Sequence, residues 1–175
     1  MVFQGLRFSI IHPSFVKFAK ITYMKSLTSL INELETKLPF IDQRKGSVSQ
    51  VTVGWHLEHS LLALIKMISA VEHSNPADYK GKFNFKRFIV FMLGKIPRGK
   101  AKAPESVKPA EDINLDNINA LIEKAKQKVA VFEKLSPCKF FTHPVFGDLQ
   151  LKQASRVVAI HTNHHIQIIN DIIKG

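Results

Sequence analysis

Apolar residues recur three and four positions apart in four stretches of the chain, the spacing of one helix face. In the first, at about 25–38, Leu27, Leu30, Ile31, Leu34 and Leu38 share a face and Pro39 closes the run. A polar loop at 42–49 follows, broken by Gly46. The second, about 50–73, carries full charge only at Glu58 and Lys66 between positions 51 and 71. Val53, Leu57, Leu61, Leu64, Ile68 and Val71 surround most of that cylinder, which predicts a helix buried on most sides. The third, about 114–135, has Ile118, Ile122, Ala125, Val129 and Phe132 in three-four alternation. Asn114 or Asp116 is placed to cap its start, and Pro137 stands just beyond its end. The last, about 150–173, aligns Ala154, Val158, His161, His165, Ile168 and Ile172 as its inner stripe.

Between the second and third helices lies a long segment, 75–112, rich in Phe83, Phe85, Phe88, Phe91, Met92 and Leu93. Its stretch 84–93, stopped by Gly94, predicts a short helix over one end of the molecule; Pro97, Gly99, Pro104 and Pro109 make the rest a loop. Residues 138–148 read as a turn-rich connector. Apart from a short alternation at 51–53, no strand pattern or internal repeat is visible. The predicted fold is therefore all-α, an antiparallel four-helix bundle with a long connection between helices 2 and 3.

Composition narrows this picture. A chain of 175 residues, 45% hydrophobic, can bury one domain core of its own. The single cysteine, Cys138, cannot form an internal disulfide, so it is expected to be a packing residue of a cytoplasmic protein. Residues 1–23 contain no Asp or Glu, and Pro13 interrupts their apolar run, which is too broken for a transmembrane segment or a signal peptide. The expected domain is 24–175, opening at Met24, with 1–23 an extension that is non-native or poorly ordered; a weak membrane-associating arm is the alternative. The net charge of +11 is concentrated at Lys80, Lys82, Lys86, Arg87, Lys95, Arg98, Lys100 and Lys102. No aromatic–basic nucleic-acid signature accompanies these cations, so a small-molecule substrate is expected rather than nucleic acid.

Five of the eight histidines fall in two helical clusters, His56 with His59, and His161 with His164 and His165. At ~100° per residue, His161 and His165 lie about 40° apart within the inner stripe of the last helix. Two imidazoles one turn apart can chelate one ion, and a third ligand must then come from a facing helix. On the second helix His56 borders the apolar arc, while His59 lies about 60° further out, so the helical wheel favours His56 and keeps His59 as the alternative. Glu58, about 160° from His56, is expected to point away. The sequence between His161 and His165 lacks the glutamate that serves as base in metalloproteases.

These motifs resemble the DinB-like, YfiT-like superfamily of four-helix-bundle proteins, which are treated as metal-dependent enzymes. The resemblance covers about 24–174. His56-Leu57-Glu58-His59-Ser60 matches the second-helix motif, and His161-Thr162-Asn163-His164-His165 matches the last-helix H-x-x-x-H with a doubled final histidine. His143-Pro144-Val145-Phe146-Gly147 matches the His-Pro-x-Phe-Gly turn of an uncharacterised bacterial subgroup. The resemblance implies His56, His161 and His165 as metal ligands. It also implies pairing through bundle faces as the oligomeric state, a homodimer.

Three neutral histidines leave an open position on a divalent ion, preferably Zn²⁺, with Ni²⁺, Fe²⁺ or Mn²⁺ as alternatives. Such an ion activates water, as a hydrolase needs, or binds a low-molecular-weight thiol as thiolate; for the second chemistry the resemblance supplies the precedent, since DinB-like relatives include thiol-dependent S-transferases. His59, His164 and His143 are the candidates to orient a ligating ring from outside or to carry a proton. A non-catalytic metal-binding bundle is the alternative, and a basic module binding an anionic polymer is a weaker third.

Overall fold

The computed structural model describes residues 25–99, 104–109 and 112–175. The expectations for residues 1–23 and Met24 lie outside the described residues, as do Lys100 and Lys102. The described residues form five α-helices: α1 (Leu27–Glu35), α2 (Val53–Glu72), α3 (Phe85–Leu93), α4 (Leu115–Phe132) and α5 (Leu151–Ile173). Each of the first four starts where a short polar side chain accepts from a backbone N–H of the first turn, at Ser26, Thr52, Asn84 and Asn114. Asn114, rather than Asp116, thus caps α4. Gln150 and Gln153 cap α5 reciprocally.

The apolar stripes meet as the periodicity requires. α2 packs against both α4 and α5, and α1 packs against the same two helices. Leu30, Ile31, Leu34, Leu57, Leu61, Ile118, Ile122, Ile166 and Ile169 form the fully buried centre of one continuous core. α2 contributes buried residues around most of its circumference, as a helix with only two full charges should. Leu38, expected in the first helix, belongs instead to a 3₁₀ turn, Leu38–Phe40, because Pro39 cannot continue the α-helical ladder.

The expectation of an all-α chain is corrected in one place. The protein is mostly helical, but the stretch read as a connector forms an antiparallel hairpin of β1 (Phe140–His143) and β2 (Gly147–Gln150). Phe141 pairs with Leu149 and Thr142 with Asp148. Gly147, at φ 68°, supplies the left-handed conformation that a side chain would resist. The hairpin is tied to the end of α2 by Phe140 N–H donating to Ser74 Oγ (3.0 Å) and Lys139 Nζ donating to the carbonyls of Glu72 (2.9 Å) and Ser74 (2.6 Å). Cys138, expected to pack, is exposed. No helix among the described residues is long and apolar enough to cross a membrane.

Candidate metal centre

The contact between α2 and α5 brings the two histidine clusters together. His59, His161 and His165 each offer one ring nitrogen, and these nitrogens lie within 4.8 Å of one another. Their rings are correspondingly close, with centroids 5.4 Å (His59–His161), 4.7 Å (His59–His165) and 4.7 Å (His161–His165) apart. His56 adjoins the group: its Nδ1 is 3.0 Å from Nδ1 of His165, and its Nε2 is 2.9 Å from Ser49 Oγ. All four sequence-selected rings therefore meet, and the closed triangle of nitrogens is the one that includes His59.

His59 is buried because α2 is covered on more than one flank. The 3₁₀ turn Glu105–Val107 lies against α2, and His59 Nδ1 donates to the carbonyl of buried Val107 at 2.8 Å. Trp55, one turn earlier, stacks on the His59 ring at 4.9 Å. A helical wheel measured from a single apolar arc cannot register that second cover. Glu58 is also buried, on the α4 side of α2, where it lines a shallow cleft with Asn117 and Lys124. Its direction away from the histidines is as expected, but its burial is not.

Burial is the main cause of every electrostatic shift at the site. It pushes His56 down to about 4 and His161 to about 3, with neighbouring imidazoles adding to both. It also holds His165 well below the ordinary histidine range, His161, His59 and His56 contributing in turn. His59 is lowered by burial and partly restored by its bond to Val107. The cluster is consequently neutral at pH 7, and each ring keeps one lone pair for a ligand.

Hydrogen bonding decides where those lone pairs sit. His59 carries its proton on Nδ1, since it donates to a carbonyl, which leaves Nε2 unprotonated. One consistent arrangement has His165 Nδ1–H donating to His56 Nδ1 and His56 Nε2–H donating to Ser49 Oγ, which leaves His165 Nε2 free to coordinate. Among the described residues, His161 Nδ1 is buried without a hydrogen-bond partner. An orphaned imidazole nitrogen of this kind costs about 1–3 kcal/mol, a cost that metal coordination would remove. The donor set, the missing partner and the outer hydrogen bonds all suit a divalent ion of the Zn²⁺ type.

Two further histidines flank the cluster. His164 borders a cleft of about 370 Å³ that also includes Ile96, Arg98, Asn163 and Gln167, and burial lowers its proton affinity. His143 has the turn role expected of it, its Nδ1 accepting from the N–H groups of Val145 (3.1 Å) and Phe146 (3.3 Å) while its ring stacks on Phe146 at 4.5 Å. It is also near enough to His161 to lower that residue's proton affinity, and burial pushes His143 itself down to about 4. Ser49, Val107 and Trp55 were not singled out from sequence as site residues; no spacing rule marks a backbone carbonyl in a proline-bounded loop.

No family model, curated protein or solved structure matches this chain.

Proposed function

We propose that this chain is a metal-dependent enzyme of the DinB-like kind, a four-helix bundle of α1, α2, α4 and α5 that holds one divalent ion between α2 and α5. The reading rests on the convergence of the His59, His161 and His165 nitrogens within 4.8 Å. His59 is assigned as the third ligand because its other nitrogen is already committed to a carbonyl, the usual arrangement for a coordinating histidine. His56 then holds the His165 ring in register from outside the ligand set. Zn²⁺ is the preferred ion, and three imidazoles without a thiolate favour an open rather than a closed site.

When bound, the ion supplies Lewis acidity and an open coordination position to water or to a low-molecular-weight thiol, giving a hydrolase or a thiol-dependent S-transferase. His143 and His164, close enough to His161 to lower its proton affinity, are the nearby groups able to carry a proton. A second reading, a metal ion that serves only to tie α2 to α5, is favoured by the burial of His59 and His165, each under a tenth exposed.

Elemental analysis of protein purified without a nickel column tests the proposal. One equivalent of metal per chain is expected in the wild type and in His143→Ala, with loss in His59→Ala and His161→Ala. His56→Ala is expected to weaken affinity by about 10–100-fold while keeping the stoichiometry. Full loss in His56→Ala with retention in His59→Ala would transfer the third ligand to His56. Wild-type protein that takes up no metal would end the proposal. Chelator-sensitive ester hydrolysis or thiol conjugation separates the enzyme from the purely structural reading.

A further inference from the structure

The side of the molecule formed by α3 and its flanks is unusual in two respects. Phe83, Phe85, Phe88, Met92 and Leu93 are large apolar residues that are each half or more exposed, Phe83 at 79% and Phe85 at 66%. Phe85, Phe88 and Met92, spaced three and four apart, fall on one face of α3, and the Phe83 and Phe85 rings lie 6.3 and 6.5 Å from that of Phe88. They form a contiguous patch, unlike the scattered apolar residues of an ordinary surface. The opposite face is pinned. Arg87 donates to the carbonyls of Lys82, Phe146 and Asp148; Asn84 donates to Val145; and Arg156 lies over the Phe91 ring while donating to the Phe91 carbonyl. The outward direction of the patch is therefore fixed by the fold.

The second respect is charge. From residue 80 to residue 102 the sequence holds eight Lys and Arg and no Asp or Glu. Lys82, Lys86 and Lys95 are exposed around the patch, while Arg98 is paired with Asp171 at 2.8 Å. A second copy of the chain would meet this surface with the same sign of charge. An anionic lipid surface complements both properties, since its headgroups accept lysines and its acyl boundary accepts aromatic side chains. At nine residues α3 is far too short to span a bilayer, and lying in the interfacial plane suits its length.

We propose that the α3 face is an interfacial binding surface for anionic phospholipid membranes, with Phe83, Phe85, Phe88 and Met92 entering the headgroup–acyl boundary and Lys82, Lys86 and Lys95 contacting headgroups. The proposal is independent of the metal centre. It is tested by co-sedimentation of the full chain with vesicles of phosphatidylcholine, with and without phosphatidylserine. Binding only to the anionic vesicles is expected, weakened by salt. Phe85→Ser with Met92→Ser, and separately Lys82→Glu with Lys86→Glu, are each expected to lower partitioning by on the order of tenfold or more, with unchanged circular dichroism. Phe85→Trp is expected to retain binding and to shift its emission to shorter wavelength on anionic vesicles, measured against the constant signal of Trp55.

Four results would overturn the proposal. They are no binding to anionic vesicles; binding unaffected by the Phe85/Met92 pair, which would mean charge attraction alone and leave an acidic protein as the partner; concentration-dependent dimers abolished by that pair; or Phe85→Trp emission that is already short in wavelength without vesicles and does not move, which would mean that the chain covers its own patch.

Discussion

His56 and His59 stand one turn apart on α2, and their hydrogen bonds separate them more clearly than their positions on a wheel. His59 gives its Nδ1 proton to Val107, whereas His56 has both nitrogens engaged, with His165 and with Ser49. The spacing of His161 and His165 was fully legible in the sequence, because two residues four apart on an inner stripe must share a face. The proposed preference for His59 over His56 was not, because it rests on a hydrogen bond to a loop 48 residues away in the chain. The lowered proton affinities give a prediction at this scale. His56, His161 and His165 bind protons less readily folded than unfolded, so the unfolded chain takes up more protons as pH falls. Their contribution to stability is therefore intact above the unfolded value of about 6.5 and is lost progressively as pH falls toward about 4 and then about 3. Thermal melts of chelated protein should show a midpoint that is flat near neutrality and declines steadily below about pH 6.5. A midpoint unchanged down to about pH 4.5 would show that these rings are not buried as neutral groups.

Among the elements, the four long apolar stripes translated directly into α1, α2, α4 and α5, with ends within a few residues of those expected. The hairpin did not, for a physical reason. Phe140 and Phe141 are adjacent and both buried, so β1 lacks the apolar–polar alternation that identifies a strand with one solvated face. Four residues in each strand leave little room for any pattern. Arg87 and Asn84 tie α3 to the hairpin, and the Arg87 guanidinium reaches three carbonyls at 2.7–3.2 Å, those of Phe146 and Asp148 in the hairpin and that of Lys82. Arg87→Ala is expected to destabilise the fold by about 1–3 kcal/mol in urea titration, by leaving those carbonyls without their donor. Metal stoichiometry should be unaffected, since none of the bonds lost involves the histidine cluster. A change below about 0.5 kcal/mol would show that water replaces the guanidinium without cost.

For the whole molecule, the proposed ion joins α2 to α5, two helices far apart in sequence, and should therefore stabilise the folded chain. A ligand at about 100 times its Kd adds about 2.7 kcal/mol. For a chain of this size each kcal/mol moves Tm by about 2–4 °C, so removal by chelator should lower Tm by about 5–10 °C. The same shift should be absent in His161→Ala. The basic, aromatic α3 surface is a separate property of the molecule; its cations were evident from sequence, but the exposure of its phenylalanines was not, because a helix-spaced apolar run ordinarily reads as core. The most direct test of the central claim is anomalous diffraction from metal-loaded crystals at the zinc absorption edge. The account predicts one strong peak per chain within about 2.0–2.1 Å of a ring nitrogen from each of His59, His161 and His165. No peak between α2 and α5, or a peak coordinated elsewhere on the chain, would contradict it.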